Sequence, residues 1–178
     1  SSVSSLVAPS GDHDPYYVLV EGDLGYQTPY DSAKMLALVR VDPQDHVVSI
    51  VSIPSDAQVG SSGQTHDIGA EGSDDAMISA VHDLLGVDIA HYVRTDAQSF
   101  ASLVDSIGGV DANLVQEVDD PDAGSDDIPA GWQTLSGAQA VEACRADNYS
   151  NPLETRRLQQ QAVLQAVLDK VFDGQGGW

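Results

Sequence analysis

The stretch from Asn151 to Phe172 constrains the fold most, because it reads as one long helix with a side to bury. Asn151 is placed to cap it, Pro152 suits the first helical position, and Glu154 stands three residues past the cap, a capping-box spacing. Asp173-Gly174 supplies the stop, since glycine takes the left-handed conformation that ends helices. At about 100° per residue, Leu164, Val167 and Val171 form one narrow stripe, flanked by Val163 and Leu168. Such a helix holds in water only when its stripe packs against other structure.

Projected back toward the helix start, the stripe meets Gln160 and Arg156 instead of further apolar residues. A helix N-terminus carries unpaired amides and the positive dipole pole, both of which favour anions. Arg157 lies at the edge of the stripe and Arg145 just upstream. The chain has only seven Lys and Arg residues, so gathering Arg145, Arg156 and Arg157 here needs a reason. Two readings fit. Either this is an anion pocket, or Arg156 pairs with one of the many carboxylates and anchors the helix; ion-pair networks mimic functional sites.

At 178 residues and 42% hydrophobic content, the chain is long enough and apolar enough to fold around a core of its own. No apolar run reaches the ~18 residues that cross a bilayer, and no signal peptide is seen. Residues 1–15 read as a polar linker, as expected after a membrane anchor outside this chain; 16–173 read as one domain and 174–178 as a frayed tail. The net charge of −21 repels nucleic-acid phosphates and anionic membrane surfaces. It argues against a nucleic-acid partner and means that any bound phosphate is held locally. The single cysteine, Cys144, excludes an internal disulfide and a multi-cysteine metal site. It reads as a small buried residue.

Along the chain, Tyr16–Val20 has the length of a buried strand, ended by Glu21-Gly22-Asp23. Asp23 follows a strand end, a usual place for site residues in α/β sheets; it is also an ordinary turn aspartate. Met35–Val41 and His46–Ile53 read as two further strands, joined by a turn at Asp42–Asp45 as an antiparallel hairpin. Residues 59–73 are rich in Gly and Ser, lack a period, and read as loop. Ser73 caps a helix through Leu85 with Ala76, Met77, Ala80, Val81 and Leu84 on one face, and Gly86 stops it. Ile89–Arg94 reads as a strand, and Asp96 caps a helix over 97–107. Chain from Val110 to Val118 is extended. The acidic run Asp119–Asp127 lacks the spacing of a calcium loop and reads as solvated. Ser136 caps a short helix, Gly137–Cys144. Strands and helices mixed in this way, with hairpins as well as crossovers, imply an α/β fold: an α/β/α sandwich whose mixed central sheet is covered by helices on both faces. The five histidines show no zinc spacing, and no phosphate-loop or nucleophile-elbow motif is present.

Four segments in unbroken order carry a resemblance. They are YYVLVEGDLG, SAKMLALVRVDPQDHVVSIVSIPSD, DLLGVDIAHYVRTDAQSFASLVDSIGGVD and AGWQTLSGAQAVEACRADNYSNPLETRRLQQQAVLQAVL. Over Tyr16 to Phe172 the chain resembles the LytR-CpsA-Psr family of bacterial cell-envelope proteins. The resemblance implies an extracytoplasmic domain behind a membrane anchor. It implies transfer of glycopolymers from a polyprenyl pyrophosphate carrier to peptidoglycan, with Mg²⁺ and arginines holding the pyrophosphate. It puts Asp23 at the metal, and Arg145, Arg156 and Gln160 at the diphosphate. Other positions depart from the pattern. Asp31 stands where the family has arginine, Ala33 where it has aspartate, and Ser55 where it has arginine. Asp147 stands at the second of two paired arginines, and Gln159 at another arginine. Lys34, beside Ala33, is the candidate replacement cation. These departures imply impaired or lost catalysis, or a non-catalytic scaffold that binds polyprenyl phosphate. A DNA-binding role, by contrast, finds no helix-turn-helix signal.

Overall fold

The computed structural model describes residues 14–25, 34–61 and 63–174. The expected linker, apart from its last two residues, and the tail after 174 lie outside the described residues, as do Asp31, Ser32 and Ala33. The described chain falls into two compact units, residues 14–22 with 34–94, and residues 23–25 with 95–174.

The first unit is built on a mixed four-stranded sheet. Its strands are β1 (Tyr16–Asp23), β2 (Met35–Asp42), β3 (Val47–Ile53) and, after the next elements in sequence, β6 (Ile89–Asp96), in the order β3-β2-β1-β6. β1 pairs antiparallel with β2 (Leu19 opposite Leu38), and β2 with β3 (Leu38 opposite Val51). Both faces of the central strands are buried. Leu19, Leu36 and Leu38 point one way, and Val18, Val20, Ala37 and Val39 the other. That explains why β1 and β2 are continuous apolar runs, whereas β3 alternates between exposed and covered residues. The first face packs against α1 (Asp74–Leu85) in one cluster that holds Leu19, Leu36, Leu38, Ile53, Met77, Ala80 and Val81.

Several expectations need correction here. β1 runs on through Glu21 and Gly22 to Asp23. His46 belongs to the turn before β3, with φ of 53°. Asp42 Oδ1 accepts from the amides of Gln44 (3.2 Å) and Asp45 (3.2 Å) and so closes that turn. The segment expected as loop forms a hairpin, β4 (Gln58–Ser61) with β5 (Gln64–Asp67), and a 3-10 turn (Ile68–Ala70). Only Val59 and Ile68 give it an apolar anchor, too few to show a period. On α1, Leu84 is exposed, because the buried stripe stops at Val81. Ser73 does cap this helix, accepting from the Ala76 amide at 3.2 Å.

The second unit is helical with one hairpin. α2 (Ala97–Ser106) is capped by Asp96, whose carboxylate accepts from the Ser99 amide at 2.7 Å. β7 (Val110–Leu114) pairs antiparallel with β8 (Gly131–Leu135). α3 (Gly137–Arg145) begins at a complete capping box made by Ser136 and Gln139. α4 (Pro152–Gly174) packs on α3 and β7 and buries Val163, Leu164, Val167, Leu168 and Val171 as the stripe requires. At its start the Asn151 amide donates to the Glu154 carboxylate at 2.6 Å, a side-chain pair where a reciprocal capping box was expected.

α2 and α3 approach closely at Gly137. Its amide donates to Asp105 Oδ1 at 2.7 Å, and a Cβ there would stand 2.1 Å from the Ala101 carbonyl oxygen. Gly137→Ala therefore forces backbone apart and costs about 2 kcal/mol or more. Chemical denaturation compares the two proteins, and equal midpoints would contradict the close approach.

Candidate functional site

The candidate site grows from the C-terminus of α3 and the N-terminus of α4, in the second unit. Helix α3 ends at Arg145, half-buried, after the fully buried Cys144. Burial pushes the Cys144 thiol pKa far up, so it stays protonated and is no nucleophile. Arg145 Nε donates to the Ala123 carbonyl at 2.6 Å, and its Nη1 to the Leu24 carbonyl at 3.3 Å. The guanidinium is thereby fixed beside the residue that follows Asp23. Asp23 itself is exposed at the end of β1, where Oδ1 accepts from the Gly25 amide at 3.5 Å.

On α4, Arg156 is only 3% exposed. Gln160, one turn further on, donates from Nε2 to the Cys144 carbonyl at 2.9 Å and ties the start of α4 to the end of α3. Arg145, Gln160 and the Asp23–Leu24 segment thus meet in one unit, with Arg156 buried one turn before Gln160. Arg157 is exposed. Gln159, at a position where an arginine was expected, is 0% exposed. Its Oε1 accepts from the Val115 amide (2.9 Å), and its Nε2 donates to the Gln116 carbonyl (2.7 Å) and to the Tyr149 hydroxyl (3.3 Å). Burial raises the Tyr149 pKa, which keeps that hydroxyl neutral.

Two carboxylates that sequence reasoning missed hold this arrangement. Asp120, 7% exposed, accepts from the amides of Asp122 (3.0 Å), Asp147 (2.9 Å) and Asn148 (3.2 Å). Glu142, also 7% exposed, accepts from the amides of Ser125 (3.1 Å) and Asp126 (3.2 Å). Gly124 permits this approach, since a Cβ there would lie 1.9 Å from the Glu142 carboxylate. The acidic run is therefore not simply solvated. It is clamped at two points, and between them it presents the Ala123 carbonyl to Arg145. The Asp-Pro-Asp-Ala-Gly sequence carries a turn signal for Asp120; nothing in the sequence marks Glu142.

Lys34 lies in the first unit, where its Nζ stands 2.9 Å from Glu21 Oε1. Glu21 is 4% exposed. It also receives the Tyr92 hydroxyl and faces Arg94 Nε at 3.6 Å, and Arg94 reaches Asp74 at 3.0 Å. The Lys34 ammonium is thus already engaged by a buried carboxylate. Burial by itself raises the Glu21 pKa, but the Tyr92, Lys34 and Arg94 contacts outweigh it and hold the group below its ordinary 4.5.

The model of the LytR_cpsA_psr family matches residues 7–175. This chain belongs to the LytR-CpsA-Psr family. Among similar proteins, a cell wall biosynthesis protein LcpA of Corynebacterium glutamicum is 36% identical over 108 residues, 60% of this chain and 20% of that one. A polyisoprenyl-teichoic acid–peptidoglycan teichoic acid transferase TagU of Bacillus cereus is 29% identical over 142 residues, 76% of this chain and 45% of that one. The chain thus spans less than half the length of these relatives. The crystal structure of B. subtilis TagV superposes with a TM-score of 0.74 at 24% identity, covering 89% of this chain and 65% of that one. A family member, YwtF (TagT) with bound octaprenyl pyrophosphate lipid, superposes with a TM-score of 0.70 at 23% identity, covering 97% and 71%. These likenesses confirm the α/β fold of the LytR-CpsA-Psr domain. Among the described residues no helix is long and apolar enough to cross a membrane, and no group of three or more metal-ligating side chains gathers.

Two outcomes test this geometry. Asp120→Ala strands three backbone amides and removes the clamp under Arg145, and costs about 2 kcal/mol or more by denaturation. A smaller effect would mean that water replaces the carboxylate. For Glu21 the folded pKa is depressed, so its contribution is complete above the unfolded value near 4.5 and is lost as pH falls through the folded value. Relief of the −21 net charge acts in the opposite direction. The comparison is therefore with Glu21→Gln, whose stability should fall less steeply below about pH 4.5. Parallel acid limbs would show that Glu21 gains nothing from its partners.

Proposed function

We propose that this domain holds the diphosphate of a polyprenyl carrier through Arg145 and Arg156, with Gln160 orienting it, and that it acts in attaching glycopolymers to the bacterial cell envelope. On this reading the domain lies outside the cytoplasm and is tethered by an anchor beyond this chain. The observation that carries the reading is the joint between α3 and α4. Scarce guanidinium groups are fixed there by hydrogen bonds to backbone carbonyls and by burial, at a helix start that favours anions. The family membership supports it, as do the printed functions of TagU and the lipid bound by YwtF (TagT).

The transfer consistent with these relatives is attack by a peptidoglycan sugar hydroxyl on the glycopolymer's phosphate. The oxygen–phosphorus bond to the carrier breaks, and polyprenyl phosphate leaves. Arg145 and Arg156 stabilise charge on the departing phosphate. Mg²⁺ would neutralise that charge further, but the described residues offer it only the exposed Asp23. Asp23 would hold such an ion as a single protein ligand, and the ion would supply charge neutralisation at the phosphate.

Weak or absent catalysis is part of the proposal. Removing a single donor of charge commonly slows transfer about 10²–10³-fold. Here Asp31, Ser55, Asp147 and Gln159 stand at positions where the family resemblance expects cations. Gln159 is committed to backbone groups, and Lys34 to Glu21. These commitments favour a domain that binds the lipid diphosphate more readily than it turns it over.

Binding of detergent-solubilised polyprenyl pyrophosphate tests the site. Arg145→Ala and Arg156→Ala should each weaken it about 10–100-fold, as the loss of charge-assisted hydrogen bonds implies, with Arg156→Lys as the milder variant if alanine unfolds the chain. Undiminished binding in both sinks the site. Mg²⁺-dependent release of polyprenyl phosphate from a lipid-linked donor would show that the remaining residues suffice for transfer.

A further inference from the structure

The hairpin of β7 and β8 has one face turned inward and one turned to water. Val110, Ala112, Leu114 and Leu135 are buried on the inner side. Asp111, Asn113, Trp132 and Thr134 are exposed, and register makes them two cross-strand pairs on the outer face, Asp111 with Thr134 and Asn113 with Trp132. Trp132 is 72% exposed, the most exposed large hydrophobic side chain among the described residues. Thr134 Oγ1 donates to Asp111 Oδ1 at 2.6 Å, which fixes the carboxylate beside the indole row and leaves it further acceptor capacity.

We infer that this face binds a neutral saccharide chain, with one pyranose ring stacked on Trp132. The inference goes beyond the lipid-diphosphate reading and does not draw on it. A sugar ring offers an apolar face of weakly positive C–H groups and a rim of hydroxyls. The indole face is large, flat and electron-rich and meets the first. The Asn113 amide, which both donates and accepts, and the Asp111 carboxylate, which accepts, meet the second.

Other occupants fit less well. A protein interface core gathers apolar side chains around its aromatic anchor, whereas the ladder neighbours of Trp132 on this face are Asn113, Thr134 and Asp111, and the exposed Val115 lies past the end of β7. An anionic membrane or polyanionic glycan is repelled by Asp111 and by the net charge of −21. A neutral glycan feels no such repulsion.

The probe is a soluble oligomer of β-1,4-linked N-acetylglucosamine, titrated into the purified chain by calorimetry or by NMR of the indole N–H. Wild-type protein should bind it. Trp132→Ala should weaken binding about tenfold or more, the loss typical of an aromatic anchor, and Trp132→Tyr should restore most of it. The thermal midpoint should stay unchanged, since the side chain is solvent-exposed. Asn113→Ala should weaken binding less than Trp132→Ala does. Three results would each overturn the inference. One is no saccharide binding by wild type; another is equal binding by wild type and Trp132→Ala. The third is Trp132-dependent partition onto phosphatidylglycerol vesicles, or Trp132-dependent self-association, without saccharide binding.

Discussion

Backbone amides, not cations, solve this protein's charge problem. With 28 carboxylates and seven Lys and Arg residues, ion pairing leaves most acids without a partner. The chain instead turns acids onto peptide N–H groups. Asp96 caps α2, Asp105 receives the first amide of α3, and Asp120 and Glu142 clamp the 120–126 loop, while Asp42 closes a hairpin through amides and also takes Arg40 at 2.9 Å. A carboxylate that accepts several N–H bonds is stabilised as an anion without a counterion. Glu21 is the contrast. It is buried in a sheet whose own ladder occupies the nearby amides, and it takes Lys34, Arg94 and Tyr92 instead.

That arrangement decides which cations remain for function. Lys34 and Arg94 are committed to Glu21 and its neighbours and Arg40 to Asp42, while Lys170 bonds the Gly109 carbonyl toward the other end of α4. Arg145 bonds carbonyl oxygens, which orient a guanidinium without neutralising it. Among the described residues no carboxylate pairs with Arg145, in a chain whose net charge of −21 otherwise repels anions. The loop that supplies one of those carbonyls is itself acidic. It tolerates its own charge because Asp120 and Glu142 face inward, onto amides.

Much of the architecture was legible from residue order. Apolar runs identified β1 and β2, caps at Ser73, Asp96 and Ser136 located three helix starts, and the stripe from Val163 to Val171 faced inward as its spacing required. The misses share a cause. The β4–β5 hairpin is nearly all exposed, so burial imposed no alternation that a pattern could reveal. Asp120 and Glu142 resemble surface acids until their amide partners, distant in sequence, come into place. In the sequence Gln159 reads only as a missing arginine. Its work of holding Val115, Gln116 and Tyr149 depends on chain more than forty residues away in two of those three contacts.

The sequence by itself determined the α/β class, the family and the gathering of Arg145, Arg156 and Gln160 around the start of one helix. Each follows from local spacing, capping chemistry or motif order, which adjacent residues encode. Tertiary structure decided which charges are spent and which are kept. It gave Lys34 to Glu21, closed the acidic loop under Arg145, and set Trp132 beside Asn113 on an open hairpin face. Those outcomes depend on which donors meet which acceptors once distant segments pack, and a carboxylate's sequence neighbours carry no record of the amide that will find it.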